Sequence, residues 1–419
     1  MAQAWYKVDN VAKVFLATTT RRDPRVFRIS CTLTEDIDPD TLNEALGRTA
    51  QEWPQFQVTL HRGLFWHYFE STDQLPVAKQ ENKEPCAPLY VPERRNQLIY
   101  RVSYFGARIN LEMFHAMTDG NGGFLFLKSL VRNYLMLRHP GTLDDVPTPS
   151  SASEADLAQD SFKNFYEGTR RTGQAKVPKA PKAYHLRGAR LPYDQLQYFE
   201  GHLSAKEVLA QARTLGVSLT SYLGASLMLA IYAEMPAMDR RKPIAISLPV
   251  NLRNYYPSET ARNFFNSVYV THTLTDADTL ATVAPVFDAK LKEILHPENI
   301  KAQMDEYEKL EHMPGIRPVP LFIKNAAVRF FTHLEDKHVT AVLSNMGRVD
   351  VDEALRPYIR QFAAFSSCEG LFTCVSSYGD DLVLGTASSL RSTNVLRRLY
   401  RGFARDGLHV TLYATEVEK

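Results

Sequence analysis

Apolar residues recur along this chain with two spacings, and the switches between them lay out its elements. Residues 26–33 are rich in strand formers with partial alternation and predict a strand. From 41 to 53, Leu42, Ala45, Leu46, Thr49 and Ala50 fall on one face of a helix. Pro39 and Asp40 suit its first turn, and Pro54 stops it. Residues 56–60 and 64–69 predict a hairpin around Arg62-Gly63, followed by a polar, proline-containing stretch at 70–93. A strand is predicted at 98–104, and Gly106-Ala107 turns the chain into the alternating run 108–113. That run delivers Phe114-His115-Ala116-Met117-Thr118-Asp119-Gly120. Gly120, Gly122 and Gly123 predict a loosened backbone there. A helix then runs from after Gly123 to about 137 and is closed by residues 138–141.

The middle of the chain loses this regularity. Residues 147–153 are rich in proline and serine, a helix is predicted near 157–168, and 176–182 form a basic, proline-rich run. Order returns with a strand at 198–203. Ser204 and Glu207 have the spacing of a capping box, opening a helix that ends at Gly216. Ser218 or Thr220 caps an apolar helix reaching 232. Strands are predicted at 243–250 (of the kind buried on both faces), 267–274, 339–345, 372–378, 382–388 and 410–414. Helices are predicted at 276–295, 321–334 and 395–405, with a breaker at 314–320. Each half mixes strands and helices, so the expected class is α/β (α+β) in two lobes. The expected division is 1–145, a linker or crossover at 146–195, and 196–419. No tandem repeat is present.

Composition narrows the partners. The 419 residues suffice for two ordinary domains. Lys plus Arg number 49 and Asp plus Glu 47, so no global field serves nucleic acid. The basic run at 176–182 lacks interleaved aromatics and reads as an exposed crossover. Four cysteines show neither a C-x-x-C pair nor zinc-like spacing with histidine; no metal is expected, and a reduced, cytoplasmic setting is. The start of the sequence lacks the apolar core of a signal peptide. The most apolar run, 219–233, is short and broken by Thr220, Ser221 and Ser226, so it predicts a buried helix and no transmembrane segment.

The candidate chemistry centres on His115. A neutral imidazole accepts a proton near pH 7 without large tuning. No G-x-S-x-G elbow, activated cysteine, P-loop or post-strand G-x-G-x-x-G accompanies it. What remains is a base without a protein nucleophile. The natural use of such a base is to deprotonate a hydroxyl or amine of the substrate. Asp119 is either a carboxylate orienting the histidine or one that holds the turn by pairing with a distant arginine. Spacing alone does not choose between them.

The segment 114–120 resembles the His-x-x-x-Asp-Gly motif of the coenzyme A-dependent acyltransferase superfamily, the group of the chloramphenicol acetyltransferase fold. Three further segments resemble that family in the same order: Ser247-Leu248-Pro249-Val250-Asn251-Leu252-Arg253, Arg262-Asn263-Phe264-Phe265-Asn266, and Leu343-Ser344-Asn345-Met346-Gly347-Arg348. Within it the likeness leans toward bacterial alcohol acetyltransferase-like and condensation-domain-like proteins. The Asp-Phe-Gly-Trp-Gly segment typical of plant members is absent. The resemblance implies two chloramphenicol acetyltransferase-like lobes, each a mixed sheet with flanking helices, and a channel between them. It implies His115 as general base and direct attack on a thioester without an acyl-enzyme. It implies Asp119 and Arg253 as a site-shaping ion pair beside Gly120. Oxyanion donors would come from the backbone near Gly120 and Asn121 and from Ser344 or Asn345, two residues that serve equally well to close a strand. No tightly bound cofactor is implied; acyl-CoA or acyl-phosphopantetheine would be a cosubstrate, an acyl carrier protein a partner, and an alcohol or amine the acceptor. A condensation-type enzyme and a non-catalytic binding member of the fold are the alternatives.

Overall fold

The computed structural model describes residues 5–91, 96–165, 182–311 and 319–415. Most of the basic run at 176–182, the end of the helix predicted at 157–168, and most of the breaker at 314–320 lie outside these residues.

The first half contains β1 (Trp5–Lys7), α1 (Asn10–Thr18), β2 (Val26–Leu33), α2 (Pro39–Glu52), β3 (Val58–Arg62), β4 (His67–Ser71), β5 (Lys79–Gln80), β6 (Tyr100–Phe105), β7 (Arg108–Phe114) and α3 (Gly120–Arg138). Two short helices follow, α4 (Glu154–Ala158) and α5 (Ser161–Phe165). The rest is β8 (Gln197–Ser204), α6 (Ala205–Thr214), α7 (Leu219–Tyr232), β9 (Ile244–Asn251), β10 (Phe265–His272), α8 (Leu280–Ile294), α9 (Pro297–Glu311), α10 (Leu321–Asp336), β11 (Ala341–Arg348), β12 (Ile359–Ser366), β13 (Leu371–Tyr378), β14 (Asp381–Ser388), α11 (Asn394–Arg405) and β15 (Thr411–Ala414).

These strands make two main sheets, one per lobe. The first has the order β12-β2-β7-β6-β5, and the second β10-β9-β11-β13-β14-β8-β15. A small sheet, β1-β4-β3, flanks the first. β12 crosses the sequence division. It lies in the second half of the chain yet pairs antiparallel with β2 along the edge of the first sheet. The residues predicted to face inward on α2 are buried, and Asp38 caps that helix by accepting from Thr41 N at 2.8 Å. α3 begins at Gly120 and not after Gly123, because Asp119 caps it by accepting from Gly122 N at 3.1 Å. The three glycines therefore belong to the first helical turn, which corrects the expectation of a loose loop. Strand β12 and helix α9 have no counterpart among the predicted elements.

Two apolar cores underlie the sheets. One joins α2, α3 and the first sheet, β12 included, with residues from β14, and the other packs α7, α8 and α11 on the second sheet. No single described helix is long and apolar enough to cross a membrane; α6 and α7 meet the test only together, across an 82° bend. Most of α7 is buried in the second core, as its sequence predicts.

A charged clamp ties the lobes between β7 and β8. Arg108 of β7 donates to both carboxylate oxygens of Glu200 on β8 at 2.7 Å. Glu200 also accepts from Gln361 of β12 at 2.8 Å and lies 3.1 Å from His202 Nε2, whose Nδ1 is 3.0 Å from Asp381. Burial alone would lower the His202 pKa, but the two carboxylates outweigh it and raise it from 6.5 to about 9. Burial likewise opposes ionisation of Glu200, yet His202 and Arg108 hold it down at about 2. A histidine with a raised folded pKa stabilises fully below its unfolded value and loses that contribution as pH rises through the folded one. The stability difference between the wild type and His202→Gln is therefore expected to shrink from about pH 6 to about pH 10 in urea titrations, since the window set by His202 runs from 6.5 to about 9. A pH-independent difference would refute the clamp.

Candidate active site

β7 ends at Phe114, and the next residue turns out of the sheet into a tight turn closed by Met117 N donating to Phe114 O at 2.9 Å. His115 is fixed there by its own backbone, its N–H donating to Arg25 O at 2.8 Å. Three aromatic rings hold the imidazole: Phe15 stacks on it at 4.3 Å, Phe27 meets it edge-on at 5.0 Å, and Phe265 lies at 5.5 Å. Phe15 and Phe27 come from the first lobe and Phe265 from the second, so the ring sits at the seam.

Asn263 settles which nitrogen is available. Its amide nitrogen donates to His115 O at 3.0 Å and reaches Asp9 Oδ2 at 3.4 Å. Both partners are acceptors, which assigns Nδ2 to that side and turns Oδ1 to the ring. Oδ1 lies 3.3 Å from His115 Nδ1 and can only accept, so Nδ1 carries the proton. Nε2 is then the basic nitrogen. Burial lowers the His115 pKa below its ordinary value, opposed in part by the Asp119 charge, so the ring is neutral near pH 7. Asp9 caps α1 by accepting from Ala12 N at 2.7 Å, and burial pushes its carboxyl up to about 6 against the pull of Arg262.

Asp119 has a different task. Its Oδ1 caps α3, while its Oδ2 accepts from Arg253 Nη1 at 2.8 Å and from Phe264 N at 2.9 Å. Arg253 sits in the single turn after β9 and spends every N–H it has. Nε and Nη2 donate to Thr260 O at 3.1 and 2.7 Å, Nη2 also to Arg262 O at 2.7 Å, and Nη1 also to Asn251 Oδ1 at 3.1 Å. This is a buried ion pair joining the two lobes, not a histidine–aspartate pair. Close backbone packing accompanies it. Thr118 Oγ1 donates to Ala261 O at 2.5 Å, and a Cβ on Gly122 would lie 2.1 Å from that same oxygen. Gly122 is a glycine because the second lobe presses on the first turn of α3.

His115 lines a cavity of about 580 Å³ whose walls come from both lobes. Asp119, Gly120, Asn121, Arg253, Ser344 and Asn345 line it too. The N–H groups of Gly120 and Asn121 open α3, where no helical carbonyl precedes them. A Cβ on Gly120 would lie 1.8 Å from Met346 Cε, so the glycine admits β11 against the helix start. Ser344 Oγ lies 3.4 Å from the same methionine's sulfur, a weak acceptor. Asn345 is more committed: Nδ2 donates to Thr220 Oγ1 at 2.8 Å, and Oδ1 accepts from Gly347 N at 2.9 Å across the bulge in β11. Cys368 and Cys374 also line the cavity, but burial pushes Cys368 up to about 12 and raises Cys374 as well, so neither is a ready nucleophile.

No protein-family model and no curated protein matches this sequence. Solved structures do match its fold. F. graminearum TRI101 complexed with coenzyme A and T-2 mycotoxin aligns with a TM-score of 0.63 at 13% identity, over 98% of this chain and 99% of that one. Polyketide synthase associated protein 5 from Mycobacterium tuberculosis aligns at 0.60 with 16% identity, over 94% and 95%. The starter condensation domain of rhizomide synthetase RzmA aligns at 0.56 with 12% identity, over 96% and 95%. This chain has the CoA-dependent acyltransferase and condensation-domain fold.

In this acyltransferase and condensation-domain fold the segments singled out in the sequence converge on one place, and they bring unforeseen neighbours. Phe15, Phe27 and Asp9 carried no motif. Asn263 and Phe265 lay inside a recognised segment, but nothing in that segment marks Asn263 as the partner of the histidine. Asn266, two residues beyond Phe264, is turned away to Gln303 at 2.7 Å.

Proposed function

We propose that this protein moves an acyl group from a thioester donor, acyl-CoA or an acyl carrier protein, to an alcohol or amine acceptor. The observation that carries the reading is the state of His115: a neutral ring at the cavity wall whose Nδ1 is held by Asn263, leaving Nε2 as the base. Among the described contacts the ring meets neither a serine nor a cysteine, which favours a nucleophile supplied by the substrate.

The steps follow from that geometry. Nε2 takes the proton from the acceptor O–H or N–H. The freed lone pair attacks the thioester carbonyl, and the carbonyl π electrons move onto oxygen. The N–H groups of Gly120 and Asn121, with Ser344 Oγ–H, are the donors for that oxyanion. As the carbonyl reforms, the C–S bond breaks and the thiolate recovers the proton from the imidazolium. No acyl-enzyme forms. Asp119 and Arg253 shape the α3 start and do not exchange protons. The complex of F. graminearum TRI101 with coenzyme A supports a CoA thioester as donor. The likeness to the RzmA condensation domain keeps carrier-bound donors in the test.

A screen of acyl-CoAs and one phosphopantetheinyl carrier protein against alcohols and amines, read by thiol release, tests the proposal. Release that needs both donor and acceptor is expected. Release from the carrier protein alone would assign the condensation-type reading, and no release from any donor would refute both.

A further inference from the structure

Helix α10 leaves most of its large apolar residues facing outward. Among its residues Leu321 is buried, while Phe322, Phe330 and Phe331 are 62%, 60% and 64% exposed. Ile323, Ala326, Ala327 and Leu334 are exposed beside them. At 3.6 residues per turn these seven cover about half of the helix circumference over ~18 Å. His333 falls within that arc. The side of Leu321, Asn325, Val328 and Thr332 faces the protein, and two cations at its borders reach back to it: Arg329 Nε donates to Ala17 O of α1, and Lys324 Nζ donates to Phe65 O at 3.2 Å. The apolar surface continues onto the β3–β4 turn, where Leu64 and Trp66 are exposed and Leu64 O accepts from Leu321 N at 2.9 Å. Val14 of α1 adds to it.

Charge and position say what this surface fits. No acidic residue occurs from 321 to 333, and Lys324 and Arg329 border the apolar arc on its two sides. Lys13 on α1 and Arg62 at the hairpin add cations. The nearby acid Glu70 is paired with His61 at 3.0 Å, and Glu335 and Asp336 lie at the far end of the helix. An apolar band edged by cations is complementary to anionic lipid headgroups over acyl chains. The end of α10 also borders the cavity. Asp336 and Val339 line the cavity where α10 ends, and Phe15, the residue after Val14 in α1, stacks on His115.

We propose that this face docks on an anionic lipid bilayer, with α10 lying in the headgroup plane and its phenylalanines among the upper acyl segments. Given the acyl-transfer reading, on which this consequence rests, the acceptor or product is lipophilic and passes between bilayer and cavity along α10.

Co-sedimentation with vesicles tests the docking directly. The wild type is expected to sediment with phosphatidylglycerol–phosphatidylcholine vesicles, less with pure phosphatidylcholine, and less at salt well above about 0.1 M. Phe330→Glu/Phe331→Glu, which replaces exposed side chains only, is expected to lose about tenfold or more of that binding, and Phe322→Glu to behave alike. Both variants are expected to keep the wild-type transfer rate on a short, water-soluble acceptor and to lose rate on an alcohol presented in vesicles. Wild type that stays in the supernatant, or variants that bind as wild type does, would overturn the proposal. So would a concentration-dependent dimer in analytical ultracentrifugation that the variants abolish, since the face would then cover a second copy. Vesicle binding without any acyl transfer would refute the catalytic reading and leave the docking intact.

Discussion

On the proposed acyl-transfer reading, His115→Ala is expected to lower the rate by about 10²–10⁴-fold, the contribution of a positioned general base, while the protein remains folded. The loss follows from three features of the site. The ring is neutral near pH 7 because burial disfavours its charged form. Its Nδ1 proton is committed to Asn263, so the basic lone pair has one direction. Phe15, Phe27 and Phe265 fix the ring plane, so the base is preorganised. Alanine removes all three and leaves the backbone bond to Arg25 in place. Asn263→Ala is expected to cost less, up to about 10²-fold, because it frees the ring to rotate without removing the base. The pH profile gives a second check. With the histidine pKa lowered from 6.5, the acid limb of kcat/KM lies below that value, and activity persists as pH falls through it. Thiol-release kinetics on His115→Ala protein with a native circular dichroism spectrum decides the matter: turnover at the wild-type rate removes His115 from the mechanism.

Asp119→Ala is expected to cost about 3–5 kcal/mol of folding stability, the range for breaking a buried charge pair by removing one partner. Arg253 is then left with its guanidinium in a pocket of carbonyls and no counter-charge, since its side chain is only 11% exposed. The same deletion removes the cap of α3 and the acceptor of Phe264 N. Arg253→Met removes the other partner, and the two effects are expected not to add. A double-mutant cycle in urea should give a coupling of about 1–3 kcal/mol. Additive losses would show that the pair does not interact. The proposed activity is expected to fall in both variants because the first turn of α3 carries Gly120 and Asn121 at the cavity wall, so a lost rate in Asp119→Ala would not make Asp119 a proton-transfer group.

The comparison between chain and fold divides along physical lines. Asp38, Pro39 and the inward stripe from Leu42 to Ala50 specify α2 because capping and helical periodicity act within a few residues. The same locality made β2, β7 and α7 readable, along with the delivery of His115 at a strand end. β12 was not readable. Ala363 and Ala364 are weak strand formers, and what makes them a strand is the ladder to β2, more than 300 residues earlier in the chain. α10 was readable as a helix but not as an outward-facing one, since periodicity shows that an apolar face exists and not what lies against it.

The site shows the same divide. By itself the sequence determined a histidine at a strand-to-helix junction, an aspartate four residues on, and an arginine and an asparagine far downstream. Local spacing left Asp119 as either a partner of His115 or a holder of the turn. Only the tertiary structure decided it, by bringing the end of β9 and the segment before β10 against the start of α3. There Asp119 meets Arg253 and Phe264 N, and His115 meets Asn263. The reason is range: caps and amphipathic faces are set by neighbours in sequence, whereas a buried charge must find its counter-charge wherever the packed lobes place one.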